Sequence, residues 1–471
     1  MILSATLRGI EAHVVNVAAQ REPGLTMLII KGLASAAERE SRVRVQAALA
    51  TARYTIDRRV TVSCDAGGRA IDGTALDLPV ALAVADAGEH HGVGAIGELS
   101  LSGEVRPVRG ALAAVEALRR HVDVVLVAPE NADEAALVDG VRVVVVRRLV
   151  DALDFLAGKR TNVVTAQRPQ PEPAGVQQDM RDVRGQRQAR RALEVAAAGN
   201  HNVLLVGGPG AGKTMLARRL PGILPPLTNG EALEVTRVHS AAGLNIGGGL
   251  IPTRPFRAPH HSTTPPGLVG GGASVPRPGE VTLAHHGVLV LDELPEFSRV
   301  TLEVLREPLE SGEVVLARAS GTLRYPARCL LVASMAACPC GRFPSPPCQC
   351  SAADRARYRA RVPPALAKRF DVRVSVPPID LAAIESEPVG EASGVIAERV
   401  AAARAERHLG ANLGAGAKSL VVRALESSLL ASREAHDRAV RVAQTIACLA
   451  GDRTVSDAQM SEAFELTRDP F

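Results

Sequence analysis

Gly207-Gly208-Pro209-Gly210-Ala211-Gly212-Lys213-Thr214 satisfies the pattern G-x-x-x-x-G-K-[ST] at every fixed position. Such a spacing serves triphosphate binding. Glycines let successive main-chain amides turn towards phosphate oxygens at a helix N-terminus, while Lys213 reaches the β and γ phosphates and the Thr214 hydroxyl ligates Mg²⁺. The competing reading is a chance glycine turn. The apolar run Val203–Val206 before the motif and the helix expected from about Met215 argue against it.

A second constellation supplies the acid groups that this chemistry needs. Val288-Leu289-Val290-Leu291 reads as a buried strand ending in Asp292-Glu293. An acidic pair after an apolar run is common by itself. Next to a phosphate loop, Asp292 belongs in the Mg²⁺ shell and Glu293 is placed to orient and deprotonate an attacking water.

Four cysteines crowd into Cys338-Pro339-Cys340 and Cys348-Gln349-Cys350. Drawn together they would make a tetrahedral Zn²⁺ site; otherwise they are reduced thiols in a surface loop. Cys64, Cys329 and Cys448 sit in apolar settings and read as core residues. The pairs His260-His261 and His285-His286 are poor metal candidates, because adjacent residues on extended chain point to opposite sides and no carboxylate follows at ligand spacing. Arg254, Arg257 and Arg277, and the run Arg355, Arg357, Arg359 and Arg361 around Tyr358, are either phosphate contacts or solvated charge.

The elements that must position these groups follow from pattern and length. At 471 residues the chain exceeds one ordinary core, so two or three domains are expected. Hydrophobic residues at 46% and charged residues at 22% exclude disordered and fibrous classes. No leader-like start and no apolar run of membrane-spanning length occur, and the cysteine usage suits a reducing compartment, so a cytoplasmic protein without membrane contact is expected. A net charge of +5 permits a polyanionic partner without requiring one.

Residues 1–160 alternate short β-branched runs with Ala-rich stretches, as an α/β domain does, and 161–178, rich in Pro and Gln, reads as a linker. Residues 179–380 carry the phosphate loop and three apolar strands (203–206, 288–291, 329–333), interrupted by a Gly/Pro-rich insertion. Residues 381–471 show four stretches of helical spacing and read as a helical lid.

The segments DVRGQ at 182–186, RPFRAPHHSTTPPGLVGGG at 254–272, PRPGEVTLAHHGVLVLDELPEF at 276–297 and LREPLESGEV at 305–314 resemble the ComM/YifB-type magnesium-chelatase-related AAA+ ATPases. GLASAAERESRVRVQAALA, GTALDLPVALAVA and GELSLSGEVRPVRG extend the resemblance through the N-terminal region. It implies an α/β chain with an N-terminal Lon-protease-like (S5-type) domain, a central P-loop AAA+ parallel-sheet module and a C-terminal helical lid. It further implies a ring, expected to be a hexamer, that hydrolyses ATP with Mg²⁺ to move on single-stranded or branched DNA, as a branch-migration helicase in recombination or uptake of transforming DNA. Under the same resemblance Arg369 falls at an arginine-finger position and Arg433 at a sensor 2 position; a solvated or structural ion pair is the alternative for each.

Where relatives place Ala-Asn-Pro, this chain has Met335-Ala336-Ala337, so hydrolysis should be slow or draw on another polar group. The position resembling a Lon nucleophile is Ala75 in Asp72-Gly73-Thr74-Ala75, and Val108–Ala113 offers no lysine, so the N-terminal domain is expected to be non-proteolytic. Two rival readings stand beside the DNA motor: a magnesium-chelatase-type motor subunit, and an ATP-gated scaffold with little hydrolysis.

Overall fold

Alternating apolar side chains fold the first third of the chain into a seven-stranded mixed sheet. Its strands are β1 (Ile2–Arg8), β2 (Glu11–Glu22), β3 (Met27–Lys31), β4 (Arg59–Asp65), β5 (Val93–Ala95), β6 (Val124–Val127) and β7 (Arg142–Val145), in the order β3-β4-β2-β1-β5-β6-β7. β1 and β2 form an antiparallel hairpin from Ile2↔Val17 to Arg8↔Glu11, while β5, β6 and β7 run parallel. Helices α1 (Ser35–Thr51), α2 (Asp77–Ala85) and α3 (Ala111–Leu118) cover the sheet. This computed structural model describes all residues except 70, 72, 73, 86–89, 91, 160–163, 168–177, 245–248, 273–275, 319–320, 345–346, 379–388, 407–410, 427–431 and 470–471.

The expected linker at 161–178 therefore lies largely outside the described residues, as do Asp72, Gly73 and the expected junction at 380. Val164 and Ala166, inside that linker range, hydrogen-bond to Val145 and Val143 along the edge of β7.

The second sheet is wholly parallel: β8 (Val203–Val206), β9 (Phe256–Arg257), β10 (Val288–Leu291), β11 (Leu330–Met335) and β12 (Val372–Ser375), in the order β9-β10-β11-β8-β12. All four residues of β8 and of β10 are buried, as expected of strands covered on both faces. Helix α4 (Arg187–Gly199) packs Ala192, Leu193 and Ala196 into the core beneath β8. Helices α5 (Lys213–Arg219) and α6 (Asn229–Ala242) follow the glycine loop; α6 starts at a capping box in which Thr228 and Glu231 satisfy each other's amides. Helix α7 (Ala352–Arg359) comes after the cysteines. The C-terminal helices α8 (Ser393–Glu406), α9 (Ala415–Glu426), α10 (Arg433–Ala450) and α11 (Asp457–Thr467) share the core under β8 and β12, through Val400, Val442, Ile446 and Met460. A two-residue parallel ladder, Asn412–Leu413 with Thr454–Val455, joins them, although the sequence there suggested helices alone.

The two sheets meet through α3 and α6. Arg237 pairs with Glu116 at 2.7 Å, and Gly110 donates its amide to the Ser240 carbonyl at 3.1 Å. Glu134, buried at this junction, accepts from the Ser240 hydroxyl and the Leu112 amide; burial raises its pKa and these bonds oppose the rise. Among the described residues no helix is long and apolar enough to cross a membrane.

Candidate phosphate and metal site

The C-terminal ends of β8, β10 and β11 converge on one cleft of about 810 Å³. β8 delivers Gly207, whose amide continues the ladder to the Met335 carbonyl at 3.1 Å. A Cβ at Gly207 would lie 2.2 Å from the Val376 carbonyl oxygen, so only glycine fits this exit from the sheet. Gly210 and Gly212 take φ values of 72° and 88°, the left-handed region that turns the loop into α5. Lys213 folds back over the loop and donates to the carbonyls of Gly207 at 2.9 Å and Gly208 at 2.8 Å. Burial lowers its pKa from the ordinary lysine value, and Asp292 and Glu293 pull in the opposite direction.

Thr214, the last residue of the loop, donates its hydroxyl to Asp292 at 2.6 Å. The other carboxylate oxygen of Asp292 accepts from the Ser334 hydroxyl and, at 3.1 Å, from the Glu293 amide. Glu293 stands at φ 55°, a turn that takes the chain away from β10 and leaves its side chain exposed, with His261 Nδ1 3.7 Å from its carboxylate. A hydroxyl and a carboxylate oxygen at hydrogen-bond distance suit one small oxygen-loving cation, and the neighbouring amides and ammonium suit an anion. These residues fit Mg²⁺ with a polyphosphate. A larger cleft of about 900 Å³ lies at the opposite strand ends, near Asn202, Gly287 and Leu330, without the glycine loop or the acidic pair.

Ala336 does line the cleft, with no polar side chain to offer. The hydroxyl that sequence reasoning missed is Ser334, buried on β11 two residues earlier. Its trace in the sequence was a lone Ser inside the apolar run Leu-Leu-Val-Ala-Ser-Met.

Arg369 and Arg433 do not line this cleft. Arg369 forms an ion pair with Glu310, and Arg433, 94% exposed, lies 3.7 Å from Asp437. Lys368–Glu434 at 2.9 Å and Arg441–Asp371 at 2.9 Å tie the segment before β12, which holds Arg369, to α10, which begins at Arg433.

The four cysteine sulfurs come together, with Cys338–Cys340 at 3.3 Å, Cys338–Cys348 at 3.8 Å and Cys340–Cys348 at 3.6 Å, and Cys350 in the same group. A zinc ion bound at about 2.3 Å by four sulfurs requires sulfur separations of about 3.8 Å. The Cys340 thiol is drawn down to about 6, first by the Arg342 amide and then by the neighbouring thiols.

Three expectations change. His285 and His286 do not point apart: His286 takes φ 57°, and both Nε2 atoms lie 2.9 Å from Glu234, a carboxylate supplied by α6. His285 Nδ1 accepts the Arg328 amide at 3.1 Å, which leaves its hydrogen on Nε2 facing Glu234; a ring so protonated has no lone pair there for a metal. Arg254 is not available to phosphate, since its side chain is only 8% exposed and donates to the Pro225 and His286 carbonyls at 2.6 and 2.7 Å; Arg257 is occupied by Glu280 at 2.6 Å. The arginines from 355 to 361 form no strip. α7 turns Arg355, Arg357 and Arg359 about its axis, placing Arg355 over the Phe343 ring while Tyr358 enters the core, and Arg361, in the turn after the helix, pairs with Glu296.

Residues 179–384 match the family described as Magnesium chelatase, subunit ChlI, and residues 17–131 match Subunit ChlI of Mg-chelatase. Among similar proteins, Rv2897c of Mycobacterium tuberculosis (strain ATCC 25618 / H37Rv) is 42% identical over 412 residues, covering 85% of this chain and 81% of its own length. YifB of Escherichia coli (strain K12) is 38% identical over 408 residues, 84% of this chain and 79% of its own. Competence protein ComM of Haemophilus influenzae (strain ATCC 51907 / DSM 11121 / KW20 / Rd) is 34% identical over 491 residues, 98% of this chain and 95% of its own.

Proposed function

Because this chain belongs to the ChlI/Mg-chelatase-related AAA+ ATPase clade, with YifB and ComM proteins as homologues, we propose that it is a motor subunit hydrolysing ATP in the cleft at Lys213 and Asp292. The observation that carries this reading is the 2.6 Å bond from Thr214 to Asp292, which joins the glycine loop to the acidic strand end at one cation-sized point. ATP with Mg²⁺ supplies the activated phosphoanhydride.

The chain's own groups have separate tasks. Amides of Gly208, Gly210, Ala211 and Gly212, with Pro209 shaping the turn, receive phosphate oxygens, and the Lys213 ammonium exchanges its loop carbonyls for them. Thr214 and Asp292 hold the cation, Ser334 fixes the Asp292 carboxylate, and Glu293 orients the attacking water and accepts its proton. Arg369 and Arg433, which lie outside their own cleft, serve the site of a neighbouring subunit in a ring of six. In this reading residues 1–160 form a non-proteolytic Lon-like domain, 161–178 a linker, 179–380 the P-loop core and 381–471 the lid, in a cytoplasmic protein.

Two outputs compete for the work of hydrolysis. The family descriptions name a magnesium chelatase subunit, and they speak more directly for a chelatase-type motor than for a helicase. The name of one relative, a competence protein, and a sequence pI of about 9.0 favour movement on single-stranded or branched DNA. The hydroxyl of Ser334 beside Asp292 weighs against a scaffold that scarcely hydrolyses.

ATPase turnover, measured alone, with branched or single-stranded DNA, and with chelatase partner subunits, separates the three. Stimulation by DNA supports the DNA motor, stimulation confined to the partners supports the chelatase motor, and no turnover under any condition overturns both.

A further inference from the structure

We infer that a zinc ion held by Cys338, Cys340, Cys348 and Cys350 clamps the glycine loop, so that metal occupancy governs nucleotide affinity; this rests on the nucleotide reading of the cleft. Pro339, Cys340 and Gly341 form part of the cleft wall that faces the loop. The two segments meet backbone to backbone. A Cβ at Gly208 would lie 2.9 Å from the Gly341 carbonyl oxygen, and a Cβ at Gly341, where φ is 73°, would lie 2.8 Å from Pro209 Cδ. The loop expected to cradle phosphate is thus shaped from one side by the thiol-bearing segment.

That segment is tied chiefly to its own sulfurs. The Gly341 amide donates to the Cys338 carbonyl at 3.0 Å and the Phe343 amide to Cys338 Sγ at 3.4 Å, so the main chain wraps one thiol. Arg355 anchors the far end, donating to the Cys350 carbonyl at 2.8 Å and stacking 4.4 Å from the Phe343 ring. Without a cation only weak sulfur–sulfur contacts hold the four thiols together, and the segment is free to open; a divalent ion bound by all four replaces those contacts with metal bonds and closes it. Closure places Gly341 against Gly208 and Pro209, where the amides must point inwards.

The test uses the full chain, purified without chelator from zinc-supplemented medium. Zinc per chain is measured by metal analysis, and binding of a fluorescent ATP analogue with Mg²⁺ is titrated. Cys348→Ser combined with Cys350→Ser alters ligands that do not line the cleft. It is expected to lose zinc and weaken the nucleotide about tenfold or more, the loss for one misplaced amide-to-phosphate bond. Gly341→Ala keeps every thiol, and is expected to retain zinc while weakening the nucleotide. Absence of zinc from the unaltered chain, or unchanged nucleotide affinity in the zinc-free double variant, overturns the clamp. An unaltered chain that holds zinc but never binds the analogue overturns the nucleotide reading instead, and the clamp with it.

Discussion

Lys213, Glu293, Ser334 and His285 each make a prediction of their own. Removing the Lys213 ammonium, as in Lys213→Ala, is expected to abolish nucleotide binding, whereas Glu293→Gln should bind and retain ATP without turning it over; normal turnover in either variant would contradict the roles given to them. Ser334 acts through Asp292. Ser334→Ala should weaken the apparent Mg²⁺ affinity of turnover about tenfold, as loss of a supporting hydrogen bond to a cation ligand does. A magnesium titration that superimposes on that of the unaltered chain would remove Ser334 from the site. His285 carries a pH effect. Burial holds it at about 4 against 6.5 when unfolded, so between these values the unfolded chain binds the additional proton. Its contribution is complete above pH 6.5 and is lost as pH falls towards 4, by roughly 3 kcal/mol at the acid end. Glu234, held below its ordinary value by the His285 hydrogen bond, loses its contribution in the same direction. Urea unfolding at about pH 7.5 and about pH 5 should show a smaller pH difference for His285→Asn than for the unaltered chain; equal differences would reject the assignment.

The strand and loop are coupled through steric fit, and the glycines of the loop are not equivalent. Gly207 faces the Val376 carbonyl, while Gly210 has nothing within 4 Å and a φ of 72°. Gly207→Ala must push β8 away from the end of β12, where the Val376 amide donates to Val206 at 2.7 Å. Its expected cost is about 1–3 kcal/mol of overpacking, whereas Gly210→Ala pays only for a left-handed backbone, about 1–2 kcal/mol. Thermal unfolding without nucleotide should rank Gly207→Ala below Gly210→Ala. The reverse order would mean that the strand end yields more easily than its contacts imply.

A single chain holds the acidic pair and the glycine loop in one cleft but leaves Arg369 and Arg433 outside it. In a ring, these arginines and the cleft of the next subunit would form one composite site. Lys213→Ala and Arg369→Ala should each be inactive alone, and mixing them should restore part of the turnover. Mixed rings then contain sites with an intact loop from one subunit and an intact arginine from its neighbour. Failure of mixtures to recover any activity, with mixed assembly verified by size and labelling, would place Arg369 in a structural pair with Glu310.

The glycine loop, its strand and the acidic pair were legible because each is local. A G-x-x-x-x-G-K-[ST] run fixes its own turn by glycine's freedom at positive φ, and an unbroken apolar run fixes a covered strand. Helical spacing likewise pointed to helices in the C-terminal region, where α8 to α11 stand, though not to all of their ends. Tertiary structure decided what depends on distant chain: that Ser334 reaches Asp292 across neighbouring parallel strands, that Glu234 of α6 collects two histidines 51 and 52 residues away, and that Arg254 is consumed by carbonyls. Cysteine spacing left the four thiols either gathered or apart. The fold gathers the four sulfurs and sets Gly341 against Gly208 and Pro209, because a side chain's partners are set by where the backbone returns and not by its neighbours in sequence.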